Sequence, residues 1–143
     1  MQYDARISDI AHVIQLAVAP VFLLSGVGVI LTVLTNRLAR IIDRARALQS
    51  AMAPGTREAA AAELVTLSRR AQLIHRSITL GTTTALLICG VILALFVGAA
   101  LGHHFTRVIG GLFIAGMVAF IASLLLFLRE IFLATASLRF GPH

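Results

Sequence analysis

The sequence predicts an all-α integral membrane protein, with three transmembrane helices and a cytoplasmic antiparallel helical hairpin between the first and second. Three observations carry this expectation. Of 143 residues, 59% are hydrophobic and the mean hydropathy is +0.96, whereas a soluble domain is about 45–50% apolar. Three apolar runs each reach the about 20 residues that cross a bilayer. The 43 residues between the first two runs, Thr35 to Ser77, are periodic rather than loop-like. The length fits one membrane domain over residues 1–143.

The first run extends from about Ile10 to Leu34 and contains "VIQLAVAPVFLLSGVGVILTVL", which has no charge. Its N-terminal flank, "MQYDARISD", is acidic and lacks a basic n-region, so it does not read as a cleaved signal peptide. Pro20 lies mid-span, where it removes one backbone hydrogen bond and marks a kink or hinge. The second run extends from about Ile78 to Leu101 and the third from Val108 to Leu128, bracketed by Arg107 and Arg129. Only "GHHFTR" separates them, which predicts a tight connection. Gly90, Ala94, Gly98 and Gly102 recur every four residues, as do Gly111, Ala115, Ala119 and Ser123. Small residues at this spacing let helix backbones approach, either within the chain or between copies of it.

The connection from Thr35 to Ser77 opens with "NRLARIIDRARAL". Leu34, Leu38, Ile41, Ala45, Leu48 and Met52 step by fours and threes, as do Leu64, Leu67, Ala71, Ile74 and Ile78. Both are heptad-like, coiled-coil seams. Pro54-Gly55 breaks the chain, Thr56 is placed to cap the next helix, and Glu58 sits in its first turn. The first arm therefore continues the first membrane helix. From Ile10 to Met52 such a helix would be about 65 Å long.

All twelve basic residues are arginine and the net charge is +6. Eight arginines fall in the long connection: Arg37, Arg40, Arg44, Arg46, Arg57, Arg69, Arg70 and Arg76. Arg6 and Arg107 lie on the other side. Because basic residues stay cytoplasmic, the connection and the C-terminus are expected inside and the N-terminus and "GHHF" outside. The basic segment is interleaved with a heptad seam and offers no aromatic stacking platform, which disfavours nucleic acid.

At "IAHVIQLAVAPVFLLSGVGVILTVLTNRLARIIDRAR" the chain resembles the domain of unknown function 2721 family, small bacterial membrane proteins with three predicted spans. The resemblance rests on Pro20, on Asn36-Arg37-Leu38 and on Asp43-Arg44. It implies a bacterial inner-membrane location and a three-pass fold, and brings no activity or catalytic residue.

On a straight helix, His12, Gln15, Arg37, Arg40 and Arg44 fall within about 80° of one another. The seam from Leu34 to Leu48 centres about a quarter-turn away. That polar face has three readings. The arginines anchor anionic lipid headgroups, with Asp43 as local partner. Alternatively they line the inner mouth of a pore in a homo-oligomer, with His12 and Gln15 at the outer mouth. Or they dock an acidic cytoplasmic partner.

His12, His103 and His104 share the outer side with Asp4 and Asp9 and are weak candidates for metal or proton binding; no tight ligand motif is present. The single cysteine, Cys89, excludes an internal disulfide. No phosphate-binding glycine loop, zinc-protease motif or serine-hydrolase elbow occurs. No charged residue sits at the centre of a span, which argues against a proton-coupled pump. The expectation is a protein without catalytic residues or cofactor. Its leading reading is a homo-oligomeric pore or ion-permeation protein around the first helix, and its alternative a membrane scaffold using the arginine-rich hairpin.

Overall fold

The computed structural model describes residues 2–51 and 55–139. Among them are three α-helices and no strand: α1 (Gln2–Ser50), α2 (Arg57–Leu101) and α3 (Thr106–Arg139). Each contains a window apolar and long enough to cross a membrane. Only 17–22% of each window is buried, so most of its apolar surface needs lipid as solvent. Phe22, Leu86 and Ile114, for example, are all exposed.

The helix starts and stops follow from local chemistry. Asp4 lies in the first turn of α1 and Glu58 in that of α2, where the positive end of the helix dipole favours an acid. Thr56 immediately precedes α2, and its carbonyl accepts the Ala60 N–H at 3.0 Å, as that of an N-cap residue does. The expected seam residue Met52 and the break at Pro54 lie outside the described residues. α1 runs unbroken through Pro20, which is buried. It ends at Ser50, so the first apolar run and "NRLARIIDRARAL" are one helix.

The chain forms two compact units. The first comprises residues 1–30 and 81–120. Its buried positions are Ala17, Pro20 and Val27 on α1, Gly81, Thr84, Ile88, Val91 and Gly98 on α2, and Gly116 on α3. On α2 these advance by three, four, three and seven, a 3.5-residue period that keeps one face toward its neighbours. A Cβ on Gly116 would lie 3.5 Å from Leu87 Cβ, and one on Gly90 3.6 Å from Leu112 Cδ1. These are the glycine contacts between α2 and α3 in this unit. A Cβ on Gly111 would meet nothing, and Gly111 and Ala115 are exposed.

The α2–α3 connection is built by two glycines. Gly102 has φ +69°, the left-handed conformation that terminates helices. The His103 N–H donates to the Gly98 carbonyl at 3.0 Å, the six-to-one bond of a Schellman cap. A Cβ on Gly98 would stand 2.8 Å from the His103 carbonyl oxygen and 3.4 Å from the Phe105 ring. Gly98 is thus needed where the turn folds back on α2.

The second unit comprises residues 31–80 and 121–143. Leu34 and Ile41 on α1 and Ala60, Leu67, Ile74 and Ser77 on α2 are buried. Leu38, Ala45, Leu48, Leu64, Ala71 and Ile78 are half-buried, so both expected seams face inward. On α3 the buried positions are Ser123 and Glu130, seven apart. Ser77 Oγ donates to the Ser123 carbonyl at 2.6 Å, and Ser123 Oγ donates to the Ser77 carbonyl at 2.7 Å. This reciprocal pair satisfies both hydroxyls and holds two small residues in contact, the way polar and small side chains join helices in lipid.

Gly98→Ala and Gly102→Ala are each expected to lower stability by at least about 1 kcal/mol, from steric conflict and from left-handed strain respectively. Gly111→Ala, which meets open space, should be neutral or slightly stabilising through helix propensity. Thermal unfolding of the three variants in one detergent checks this order.

Candidate functional site

The polar chemistry of the second unit gathers around one acid. Glu130 is fully buried, at 0% exposure. Arg37 donates to its Oε2 through Nη2 at 2.6 Å and through Nε at 3.0 Å. Arg70 donates from Nε to the other oxygen, Oε1, at 3.0 Å. The carboxylate therefore joins α1, α2 and α3 through both oxygens. Arg37 also lies over the Phe127 ring, 5.6 Å from its centroid, which adds a cation–π contact. The arginine side chains stay 32% and 21% exposed, so their outer N–H groups reach the surface.

The three helices bring these groups together through their periodicity. Arg37 and Ile41 follow Leu34 at steps of three and four, and Arg70 lies midway between Leu67 and Ile74. Glu130 repeats the position of Ser123 one heptad later. Burying a carboxylate in a poorly solvated interior is costly unless it is paired and hydrogen-bonded, and here both requirements are met.

Beside this junction Arg37, Arg40, Ile41 and Arg44 of α1 and Leu67 and Arg70 of α2 line a cleft of ≈ 220 Å³. Arg44 Nε donates to Glu63 Oε1 at 3.0 Å, an exposed pair worth at most about 1 kcal/mol. Four guanidinium groups thus meet two carboxylates, and the cleft keeps an excess of positive charge. Such a cleft accepts a carboxylate or phosphate group.

The residues expected on one polar face are therefore divided. Arg37 turns inward to Glu130, Arg44 pairs with Glu63 rather than Asp43, and Arg40 is exposed. His12 and Gln15 are exposed residues of the first unit. There Asp9, His12, His103 and His104 line a groove of ≈ 630 Å³ with Ala94, Gly98 and Gly102. His103 Nδ1 lies 2.9 Å from the Leu101 carbonyl, and its ring stacks on Phe105. Among the described residues no group of three His, Cys, Asp or Glu side chains is placed to hold a metal ion. Ala119 is half-buried and Ser123 belongs to the reciprocal serine pair.

Sequence reasoning passed over Glu130, Glu63 and Ser77 and counted Arg70 only as one of many arginines. The available signal for Glu130 was its seven-residue spacing from Ser123 on an otherwise apolar helix.

Removing Glu130 leaves two guanidinium groups facing each other without a counter-charge. Glu130→Leu is expected to destabilise by about 2–4 kcal/mol, near the low end for broken buried pairs because both arginines reach solvent. Replacing all three, Arg37→Leu, Arg70→Leu and Glu130→Leu together, should recover most of that loss, since an apolar cluster needs no pairing. Denaturant unfolding of wild type, single and triple variants reads both effects.

No curated protein and no solved structure matches the chain. A family described as "Protein of unknown function (DUF2721)" matches residues 17–140. That stretch includes Glu130, Arg37 and Arg70 as well as the apolar helices, and the chain belongs to the DUF2721 family.

Proposed function

We propose that this membrane protein is a non-enzymatic scaffold of the bacterial inner membrane that receives an acidic segment of a cytoplasmic protein at the arginine cleft. In this reading residues 35–77 form a cytoplasmic helical hairpin, the N-terminus lies outside and the C-terminus inside. The arginine asymmetry of the sequence supports that orientation. The single observation that carries the proposal is the cleft of Arg37, Arg40, Arg44 and Arg70. Two of its cations are fixed by Glu130, so the surface is held in place before a partner arrives. Arg40 is the exposed member best placed to meet an incoming carboxylate.

A homo-oligomeric pore lined by α1 is the second reading. The exposure of His12, Gln15 and Arg40 on α1 favours it. The engagement of Arg37 and Arg44 by carboxylates of α3 and α2 leaves less charge to line a path.

Full-length protein in nanodiscs is expected to bind an acidic polyglutamate peptide with strong salt dependence. Arg40→Gln and Arg44→Gln should each weaken this by up to about fivefold. Binding that is unchanged in the double variant would sink the docking proposal. Anion flux in liposomes tests the pore: a strictly monomeric particle, or flux unaltered by Arg40→Gln, removes the arginine-lined path.

A further inference from the structure

Three more arginines of the second unit stand apart from the cleft. Arg69, Leu73 and Arg76 of α2 and Arg129, Phe132 and Leu133 of α3 line a separate groove of ≈ 500 Å³. On α2 these residues step by four and three, so they occupy one helix face. None of the three arginines forms an ion pair among the described residues. The carboxylates of Glu130 and Glu63 are already taken by Arg37, Arg70 and Arg44.

The walls between the cations are apolar and open. Phe132 is 64% exposed and Leu133 39%. Leu125 is exposed as well and lies one turn before Arg129 on the same face of α3. The α3 wall of the groove lies within the helix's membrane-compatible window, Thr106–Ala136, and exposed Leu125 extends its apolar face toward the middle of that window. A small aqueous anion would leave Phe132 and Leu133 wet, and an apolar ligand would strip water from three unpaired guanidinium groups. A ligand with an anionic head and an apolar body satisfies both.

We propose that this groove binds an anionic phospholipid of the surrounding bilayer. The phosphate oxygens accept hydrogen bonds from Arg69, Arg76 and Arg129, whose planar forks suit that geometry. The glycerol and first acyl carbons cover Phe132 and Leu133, and the chains run along Leu125 into the membrane. The volume fits a headgroup and glycerol backbone, which leaves the acyl chains in lipid. Basic pockets between membrane helices are the places where such headgroups are held. This site shares no residue with the arginine cleft and does not depend on the scaffold reading.

The test is native mass spectrometry of the full-length protein in detergent, titrated with phosphatidylglycerol or with phosphatidylcholine. Wild type is expected to prefer phosphatidylglycerol by at least about tenfold, each arginine near the surface contributing about fivefold. R69Q/R76Q/R129Q should abolish the preference at unchanged helicity. If that triple variant fails to fold, R76Q and R129Q alone should each reduce the preference about fivefold. Phe132→Ser with Leu133→Ser should weaken both lipids and keep the preference between them. Retention of the full preference in the folded arginine variants overturns the proposal. So does complete displacement of the lipid by inorganic phosphate, which would mark a site for the free anion, and so does loss of preference only in R40Q/R44Q.

Discussion

A single carboxylate organises the polar half of this molecule. Glu130 is out of water, and its two oxygens are claimed by arginines from two other helices. The geometry of the second unit follows from that demand. Arg37 must lie on the inward side of α1 although it is charged, and Arg70 must do the same on α2. The residues that flank them along each helix, Leu34 and Ile41 or Leu67 and Ile74, are buried as well. In a lipid environment apolar side chains gain little by leaving bilayer for protein, so packing and polar contacts must join helices. Glu130 and the Ser77–Ser123 pair supply such contacts in the second unit. In the first unit the glycine contacts are steric: Gly116 against Leu87, Gly90 against Leu112, and the Gly98 turn.

The same junction shapes what the surface can do. Fixing two arginines on a buried acid orients their outer N–H groups without neutralising the cleft, because Arg40 and Arg44 add charge and, among the described residues, Glu63 alone pairs with either. Preorganised guanidinium groups lose less side-chain entropy when an anion arrives. Arg69 and Arg76 of α2 and Arg129 of α3 form no ion pair among the described residues. Two arginine clusters that share α2, one with α1 and one with α3, thus differ in character. In one, two arginines are anchored on a buried acid; in the other, three arginines stand beside the exposed side chains of Phe132 and Leu133.

Much of the architecture could be read from the residues, and the parts that could not have physical reasons. Three apolar runs and the three-four spacing of Leu34 to Leu48 led directly to the long α1, because length and period are properties of a single helix. The small-residue stripes were harder. A four-residue spacing advances about 40° per step, so Gly90 and Gly102 cannot face one neighbour. Gly90 meets Leu112, Gly98 meets the turn, and Gly102 ends the helix. The close approach on α3 falls at Gly116, which leads by sevens to Ser123 and Glu130. The pairing of Arg37 and Arg44 could not be read from α1 alone, because their carboxylates lie on other helices. A straight-helix projection sets Arg37 about 60° from the centre of the seam, and its long side chain spans that offset to reach Glu130. Glu130 itself lies just past the third apolar run, beside Arg129, with no partner near it in sequence that would mark it as buried. Only its partner helices reveal that it points the other way.

Hydrogen–deuterium exchange of wild type and Glu130→Gln, followed peptide by peptide, tests the convergence of three helices on one carboxylate most directly. Loss of the charge on α3 is predicted to speed exchange together in residues 34–48 of α1 and 60–76 of α2. Both segments are remote in sequence from the substitution and joined to its carboxylate through Arg37 and Arg70. Faster exchange confined to α3, with both distant segments unchanged, would contradict it.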